Sequence, residues 1–295
     1  MTNDEQQDAI ITTRILVVID GSLYAESVCD HAAWLANRLG AAVDVVHVLT
    51  RRDGGADMRD LSGSIGLGAR STLLDELSEL DAQRARLAQE HGRAILEDAK
   101  ERLLAADVPR VTTRLRHGEI AETVSALESE ANIVLIGKRG ESADFESLHL
   151  GSNLERVARQ SNRPVMVASR TFNPIQRMMV AYDGGKSVEK AIDVMTQIPA
   201  LQSLECHLLA VGPQSSTLAA KLDAAAQRLR EVTSSVSTDQ LPGVPERIIA
   251  EQVAERNIDL LLMGAYGHSR IRSLLIGSTT TEMLRSCQIP VVLVR

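Results

Sequence analysis

The chain is poor in aromatic residues and in cysteine, and each shortage excludes a class of function. Only two of the 295 residues are Phe, one is Trp and three are Tyr, and the net charge is −7. Such a chain has little with which to neutralise a phosphate backbone or stack on bases, so we do not expect a nucleic-acid partner. The three scattered cysteines, Cys29, Cys206 and Cys287, form no metal-ligand or redox pair, and their odd number argues against a disulfide framework.

Long apolar runs are missing too. No run approaches the roughly 18 residues that a membrane span needs, and the polar start MTNDEQQDA lacks the basic and apolar pattern of a signal peptide. We therefore expect a cytoplasmic protein without a membrane partner. The histidines follow no metal-ligand spacing, and the chain order suggests no Ser-His-Asp or Cys-His arrangement, so neither a metal site nor a set of catalytic residues is predicted.

What the chain does contain is a repeat. The stretch RILVVIDGS at 14–22 returns as RMMVAYDGG at 177–185, and ANIVLIGKRG at 131–140 returns as NIDLLLMGAYG at 257–267. The pair Gly151-Ser152 and the Pro-Val-led segment after it return 126 residues later, as Gly277-Ser278 and a second Pro-Val segment. The sequence is two copies of one unit, which predicts domains at 1–170 and 171–295.

Each copy alternates apolar β-branched runs with helical patterns, which predicts α/β domains with parallel sheets and right-handed crossovers. In the first copy, helices are expected at Ala25 to Leu39, where Gly40 ends the helix, and at Ser152 to Gln160. We predict five strands per domain in the order 3-2-1-4-5. The second domain is abbreviated, since it lacks a piece that corresponds mainly to the glycine-rich residues 50–70 and part of a long helix.

The order 3-2-1-4-5 reverses its winding between strands 1 and 4, so their carboxyl ends flank a crevice where ligands bind. Asp20 and Gly137 end those strands in the first unit, and Asp183 and Gly264 end them in the second. Glycines let backbone N–H groups approach an anion, and the helix that starts at Gly277 adds its own N–H groups and the positive end of its dipole. This pattern is typical of a phosphate-binding loop.

A simpler interpretation stands beside it. The glycines would then only make turns, each aspartate would cap a helix or make an Asp-Gly turn, and Ser152-x-x-Glu155 and Thr279-x-x-Glu282 would be capping boxes. Repetition of the whole arrangement in both units favours the phosphate loop.

These residues resemble the universal stress protein family, here as a tandem pair. The resemblance rests on Asp-Gly-Ser after strand 1, Gly-x2-Gly-x9-Gly-Ser/Thr before a helix and a closing Pro-Val-x-x-Val strand, and it covers nearly the whole chain. It implies a flavodoxin-like or Rossmann-like fold of the adenine nucleotide alpha hydrolase-like type, association through the last strands and, in one branch of the family, binding of ATP or AMP.

Carried over position by position, the second unit matches the nucleotide-binding pattern. The implied ligand contacts are Asp183, Val211, Gly264, Gly267, Gly277, Ser278 and Thr279. One departure is Gly185, which stands where the family has serine; Lys186 beside it either meets phosphate or lies in solvent.

The first unit departs more. Its corresponding set is Asp20, Val48, Gly137, Gly140, Gly151 and Ser152, but ten residues instead of nine precede Gly151, and Glu141, Asp144 and Glu146 are among them. Carboxylates repel a triphosphate, unless Lys138 and Arg139 point inward to compensate. The second unit is therefore the predicted site, and binding by the first is left open.

Two function classes remain. The leading one is a stress-response regulatory protein that is not an enzyme, binds ATP or AMP with Mg²⁺ as an optional companion, and signals to an unknown protein partner. The alternatives are a slow Mg²⁺-dependent ATPase, for which no dedicated base stands out, and a scaffold or ligand carrier of the same fold. The sequence also predicts internal pairing of the last strands and, in addition, a homodimer.

The remaining expectations concern the first unit's additional segment. Residues 50–70 form either a mobile lid or partner-binding flap or a disordered insertion. The long helix after them carries leucines amid many charges, and we expect those leucines to face the core: Leu73, Leu74, Leu77, Leu80, Leu87 and Leu96.

Overall fold

The computed structural model of the chain describes residues 13–50, 67–138, 151–198, 201, 203–233, 235–265 and 277–295, and the side chains of 67–75 are not part of that description. Most of the predicted insert at 50–70, together with Gly140, Gly267 and the acidic residues predicted beside the first site, therefore lies outside the described residues.

Ten strands and the helices between them alternate along the described chain. The first half contains β1 (Arg14–Ile19), α1 (Ala25–Leu39), β2 (Ala42–Leu49), α2 (Leu67–Ala105), β3 (Val111–His117), α3 (Ile120–Leu127) with a short 3₁₀ turn (Glu128–Glu130), β4 (Ile133–Gly137), α4 (Ser152–Gln160) and β5 (Val165–Ala168). The second half contains β6 (Arg177–Ala181), α5 (Lys186–Met195), β7 (Glu205–Val211), α6 (Ser216–Arg230), β8 (Ser235–Leu241), α7 (Pro245–Glu255), β9 (Leu260–Gly264), α8 (Ser278–Ser286) and β10 (Val291–Val294).

The strands form one sheet in the order β3-β2-β1-β4-β5-β10-β9-β6-β7-β8. Within each half all pairings are parallel and follow the predicted order 3-2-1-4-5, which confirms the fold class. The two last strands pair with each other in antiparallel fashion, with Val167 opposite Val291. The internal pairing expected from the two Pro-Val segments is therefore present, and it joins the halves into a continuous sheet.

Buried side chains cover both faces of this sheet. On one face, residues of β1 and β6 pack under α1, α2, α5 and α6, with Val28, Leu103 and Leu222 in the core. On the other face, α3, α4, α7 and α8 cover the sheet, with Leu154 and Met283 in the core. Strands buried on both faces explain the nearly continuous apolar runs in the sequence.

Helix α1 has the bounds that the sequence predicts. Gly40 follows it in the left-handed conformation, with φ 59°, and its N–H donates to the carbonyl oxygen of Ala36. Glycine adopts this conformation without steric cost, and for that reason it ends helices.

Helix α2 corrects the expectation that its leucines face the core. Its 39 residues span about 58 Å, whereas the eight residues of β2 span about 26 Å. Gly92 lies against His47, near the carboxyl end of β2, so the residues before Gly92 extend past the edge of the sheet. Leu96 is buried, but Leu77, Leu80 and Leu87 are 36, 48 and 64% exposed, because none of the described strands lies beneath them. Among the described helices, even this longest one lacks the continuous apolar stretch that crossing a bilayer requires.

Candidate ligand sites at the carboxyl edge of the sheet

The fold brings most of the predicted site residues of each half to the same edge of the sheet. β1 and β4 are neighbours, so Asp20, which follows β1, lies near Gly137, the last residue of β4. The same relation holds between Asp183 after β6 and Gly264 at the end of β9. These are the points where the winding direction reverses, the usual place for a ligand crevice in such sheets.

In the first half this edge contains a cleft with about 570 Å³ of space, part of it open to solvent. Four predicted residues line it: Asp20, Gly137, Gly151 and Ser152. Val48, near the end of β2, lies outside this lining.

The cleft is also lined by Lys138, which the sequence suggested as a compensating charge, and by residues outside the predicted set, among them Ser22, Tyr24, Ile120 and Asn153. Ser22 belongs to the Asp-Gly-Ser motif and Asn153 follows the Gly-Ser pair, so position in the motifs was a usable signal for both. Ile120 comes from α3, and only the fold shows that α3 packs beside the start of α4.

The helices α4 and α8 begin in the way that an anion site requires. Gly151 and Gly277 are their N-cap residues, and among the described residues no side chain accepts a cap bond at either position. Ser152 and Ser278 are therefore the first residues inside their helices, and both capping-box interpretations are wrong. The N–H groups of each first turn lack intrahelical acceptors and face the crevice with the positive end of the dipole.

The second-half helix is fixed against its strand by a buried threonine. The hydroxyl of Thr280 donates to the carbonyl oxygen of Gly264 at 3.0 Å, and Thr280 is 3% exposed. The N–H of Gly277 donates to the carbonyl oxygen of Ala265 at 3.3 Å. These two bonds hold the start of α8 at the end of β9, while Ser278 remains exposed.

Both aspartates make the turn that the simpler interpretation predicted, and both also stand at the crevice. The Oδ1 atom of Asp20 accepts a bond from the N–H of Ser22 at 3.1 Å, and that of Asp183 accepts one from Gly185 at 2.8 Å. A carboxylate has two oxygens and several lone pairs, so this role does not preclude hydrogen bonds from a ligand.

The glycine at position 185 has a structural reason. A Cβ there would lie 2.9 Å from Oδ1 of Asp183, so the carboxylate would have to move. In the first half, Ser22 occupies the corresponding position, where its Oγ accepts a bond from the N–H of Tyr24 at 3.3 Å. That bond orders the turn before α1, and Gly185 has no hydroxyl with which to make its equivalent. Lys186, at the start of α5, is exposed.

The ammonium of Lys138 does not point inward to offset the carboxylates of the first-half loop, which the sequence allowed. Its ammonium crosses to the second half and donates to the carbonyl oxygens of Arg285 at 3.0 Å and Cys287 at 2.8 Å. Both carbonyls belong to the C-terminal end of α8, where helices favour a cation. Arg139 lies outside the described residues.

A glutamate stands near each helix start, and the two differ in their partners. In the first half, Oε2 of Glu119 is paired with the guanidinium of Arg156 at 3.0 Å. In the second half, Oε2 of Glu246 accepts a weak bond from the hydroxyl of Thr279 at 3.4 Å. Thr279, a predicted ligand contact, therefore shares its hydroxyl with a carboxylate.

Tyr182, directly before Asp183, joins the end of β6 to α5. Tyr182 is 2% exposed, and its hydroxyl donates to Glu189, which also pairs with Arg228 of α6. Burial, with a further contribution from Glu189, raises the pKa of Tyr182 above its ordinary value. Tyr182 therefore stays protonated and fixes β6 to α5. Within the described part of the chain, no group of three or more His, Cys, Asp or Glu side chains is arranged to hold a metal ion.

Comparison with known proteins gives one family for both halves. The model of the universal stress protein family matches residues 12–169 and again 174–295. A universal stress protein of Synechocystis sp. is 36% identical over 284 residues, which cover 95% of this chain and 99% of that protein. A universal stress protein of Bacillus subtilis is 29% identical over 156 residues, covering 52% of this chain and 97% of its own.

Solved structures show the same two-unit fold. The crystal structure of a universal stress protein from Archaeoglobus fulgidus superimposes with a TM-score of 0.67 at 19% identity, covering 96% of this chain and 98% of that one. A putative universal stress protein from Pseudomonas aeruginosa gives a TM-score of 0.59 at 14% identity.

Proposed function

The chain belongs to the universal stress protein family, and from that premise we propose that it is a cytoplasmic regulatory protein that binds ATP or AMP at the carboxyl edge of its sheet. Nucleotide binding sets the state that a protein partner reads. The ligand is bound and released unchanged, so the protein is not an enzyme.

One observation carries the proposal. In each half an uncapped helix start, at Gly151 or Gly277, lies at the end of strand 4, beside the aspartate that follows strand 1. The helix start supplies N–H donors for phosphate, and the aspartate supplies acceptors for a ribose or an adenine edge. Adenosine and its phosphates need this combination within one crevice.

The two halves contribute different support. The second has the family's nine-residue spacing between the loop glycines, and the first has a described cleft with Asp20 and Ser152 in its wall. We assign the stronger site to the second half and a weaker one to the first. The like charge of Glu141, Asp144 and Glu146 disfavours a triphosphate there.

The partners of the aspartates support binding without hydrolysis. Hydrolysis requires a base that orients water and a group that neutralises developing charge. Asp20 and Asp183 each accept a backbone N–H bond from their own turn, which fits a role in positioning a ligand. Mg²⁺, where it accompanies ATP, would reach the hydroxyls of Ser278 and Thr279.

The direct test is to denature freshly purified protein, identify the released small molecules, and titrate the stripped protein with ATP and AMP by calorimetry with and without Mg²⁺. We expect released adenine nucleotide and binding by the stripped protein. An absence of both at millimolar ATP would leave the scaffold or ligand-carrier alternative, and ADP accumulating at a steady rate would favour the ATPase.

A matched pair of variants assigns the sites. Ser152→Asp and Ser278→Asp each place a carboxylate at the first position of an exposed helix start, where it suits the helix dipole but repels phosphate. We expect Ser278→Asp to remove the stronger binding and Ser152→Asp to remove the weaker. The Ser→Asn versions are the uncharged controls and should retain binding.

Assembly and location are separate parts of the proposal. Because β5 and β10 already pair within one chain, a homodimer would use a different surface from these last strands. Light scattering tests it, and a mass of one chain would refute it. The free cysteines Cys29, Cys206 and Cys287 are all buried, which suits a reducing compartment, and cell fractionation tests the cytoplasmic location.

A further inference from the structure

Two cationic side chains, one from each half, reach into the opposite half. Each one binds backbone carbonyls at the C-terminal end of the helix that begins at that half's candidate site. Lys138, next to the last residue of β4, donates to the carbonyls at the end of α8. Arg295, next to the last residue of β10, donates through Nη1 to the carbonyl oxygens of Gln160 at 3.5 Å and Ser161 at 2.7 Å, at the end of α4. Each candidate site therefore contains the start of a helix whose other end is held by the opposite half.

Lys138 differs from Arg295 because it also borders a ligand cleft. It follows Gly137 and belongs to the lining of the first-half cleft, together with Asp20 and Ser152. The Lys138 side chain is flexible and its ammonium lies on the carbonyls of α8, so a phosphate bound in the adjoining cleft would compete with those carbonyls for the same charge. A polyphosphate carries more charge than two peptide carbonyls and is the stronger acceptor.

We propose that Lys138 couples the two sites: a polyphosphate in the first-half cleft draws its ammonium away from the end of α8 and so weakens binding at the second-half site. The inference rests on the proposed nucleotide binding and adds its regulation. The ligand class is a nucleoside di- or triphosphate, whose outer phosphates extend beyond the helix start. The acidic residues of the first-half loop weaken its binding there, so the coupling operates only at high ligand concentration.

The path from Lys138 to the second site is a single helix. α8 has nine residues and is about 13 Å long, with Gly277 and Ser278 at its start and Cys287 at its end. Loss of a cation at the C-terminal carbonyls frays the last turn, and a shorter, less ordered helix presents its first N–H groups less rigidly. The coupling is therefore negative, and it is reciprocal: nucleotide in the second site disfavours polyphosphate in the first.

The experiment measures hydrogen exchange at the C-terminal end of α8 under conditions in which ATP can bind only to the first-half cleft. The protein carries Ser278→Asp, which blocks the second site, and hydrogen exchange of the α8 amides is measured with and without saturating ATP. The reporter is the N–H of Cys287, which donates to Met283 at 2.9 Å. We expect ATP to speed its exchange roughly threefold to tenfold, the effect of losing a charge-assisted cap.

Two further variants isolate the ammonium. With Lys138→Met added, the last turn of α8 should exchange rapidly without ligand, ATP should change nothing further, and ATP affinity at the first half should fall about fivefold. Arg295→Met is the matched control, since it removes the opposite crossing contact and leaves Lys138 in place. The response of α8 to ATP should persist there.

Calorimetry on the same samples separates the two proposals. If ATP binds the Ser278→Asp protein and the exchange of Cys287 stays constant or slows, the coupling is wrong and nucleotide binding stands. If ATP binds the unmodified protein but not the Ser278→Asp protein, the first-half cleft binds no nucleotide. The proposed coupling is then wrong, while nucleotide binding at the second site stands. If neither binds ATP, both proposals fail together.

Discussion

The guanidinium of Arg295 lies 2.7 Å from the carbonyl oxygen of Ser161, measured from Nη1, and this bond ties the end of the second half to the end of a helix in the first. Ser161 is 1% exposed, and its own hydroxyl donates to the buried carboxylate of Glu128 at 2.6 Å. Glu128 also accepts bonds from Asn162. Arg295 therefore adds a link to a network that is already ordered, so the entropy cost of that link falls mainly on the Arg295 side chain itself.

Removing this link should loosen the contact between the halves. We expect Arg295→Met to lower the free energy of unfolding by about 1 kcal/mol, less than a fully buried charge-assisted bond because the side chain is half-exposed. Urea unfolding followed by circular dichroism measures the change. Arg116→Met, on the exposed edge strand β3, is the control, and an equal loss there would show that the effect is not specific to the contact.

The two Asp-Gly turns are alike in sequence but not in backbone conformation. Gly184 has a φ of +68°, whereas Gly21 is not among the described glycines with positive φ. A Cβ at Gly184 would also lie 3.1 Å from Cδ1 of Leu218. We expect Gly184→Ala to destabilise the protein by about 1–2 kcal/mol, because alanine is strained in the left-handed region.

Gly21→Ala is the matched substitution in the other half. It should leave the free energy of unfolding within about 0.5 kcal/mol of the original, as surface changes without strain usually do. Thermal unfolding of the two variants side by side measures the difference. Equal losses would mean that the turns share one conformation in solution.

The internal repeat predicted much of the fold. It predicted the strand order, the pairing of the last strands and the bounds of α1, because apolar runs, the Pro-Val segments and Gly40 are local signals with direct structural consequences. It also predicted the bounds of α4, Ser152 to Gln160, but the cap at that helix start was wrong. Ser152-x-x-Glu155 has the composition of a capping box, but Gly151 takes the N-cap position, and composition alone does not fix which residue enters the helix first.

Other features depended on contacts between distant parts of the chain. Lys138 finds its acceptors 147 and 149 residues away, and no pattern around Lys138 indicates them. The exposed Leu77 and Leu87 have the spacing of a core-facing helix, and only the length of α2 relative to the strands shows that they lie past the sheet. Periodicity indicates a face, but not what lies opposite.

Glu246 should weaken phosphate binding at the second site. Its carboxylate accepts a bond from Thr279, the second residue of α8, so it places a negative charge beside the helix start. In a Ser152→Asp background, which leaves only the second site, we expect Glu246→Gln to tighten ATP binding about fivefold in Mg²⁺-free buffer, the effect of removing one nearby like charge at the surface.

Glu255→Gln, at the far end of α7, changes the net charge equally and is the control for that variant. Calorimetry in the same buffer compares the two. Unchanged ATP affinity of Glu246→Gln in Mg²⁺-free buffer would contradict the expected repulsion. If its affinity then fell below that of Glu255→Gln once Mg²⁺ is added, Glu246 would be assigned to the metal.

His207 should make the stability of the second half depend on pH. It is 4% exposed, with Nδ1 bonded to the hydroxyl of Ser237 at 2.8 Å and Nε2 3.6 Å from Asp239, which also pairs with Arg256. Burial lowers the pKa of His207 below 6.5, with a smaller contribution from the positive charge of Arg256, and Asp239 opposes the shift. The folded protein therefore takes up this proton less readily than the unfolded chain, so the free energy of unfolding falls as the pH drops below about 6.5.

Urea unfolding at pH 7.5, 6.5 and 5.5 should show a shallower decline in His207→Asn, by about 1.4 kcal/mol for each pKa unit of the shift. The exposed His117→Asn is the control, and a decline as steep in His207→Asn as in the original would assign the pH dependence to another group, first of all His31, whose pKa burial also lowers.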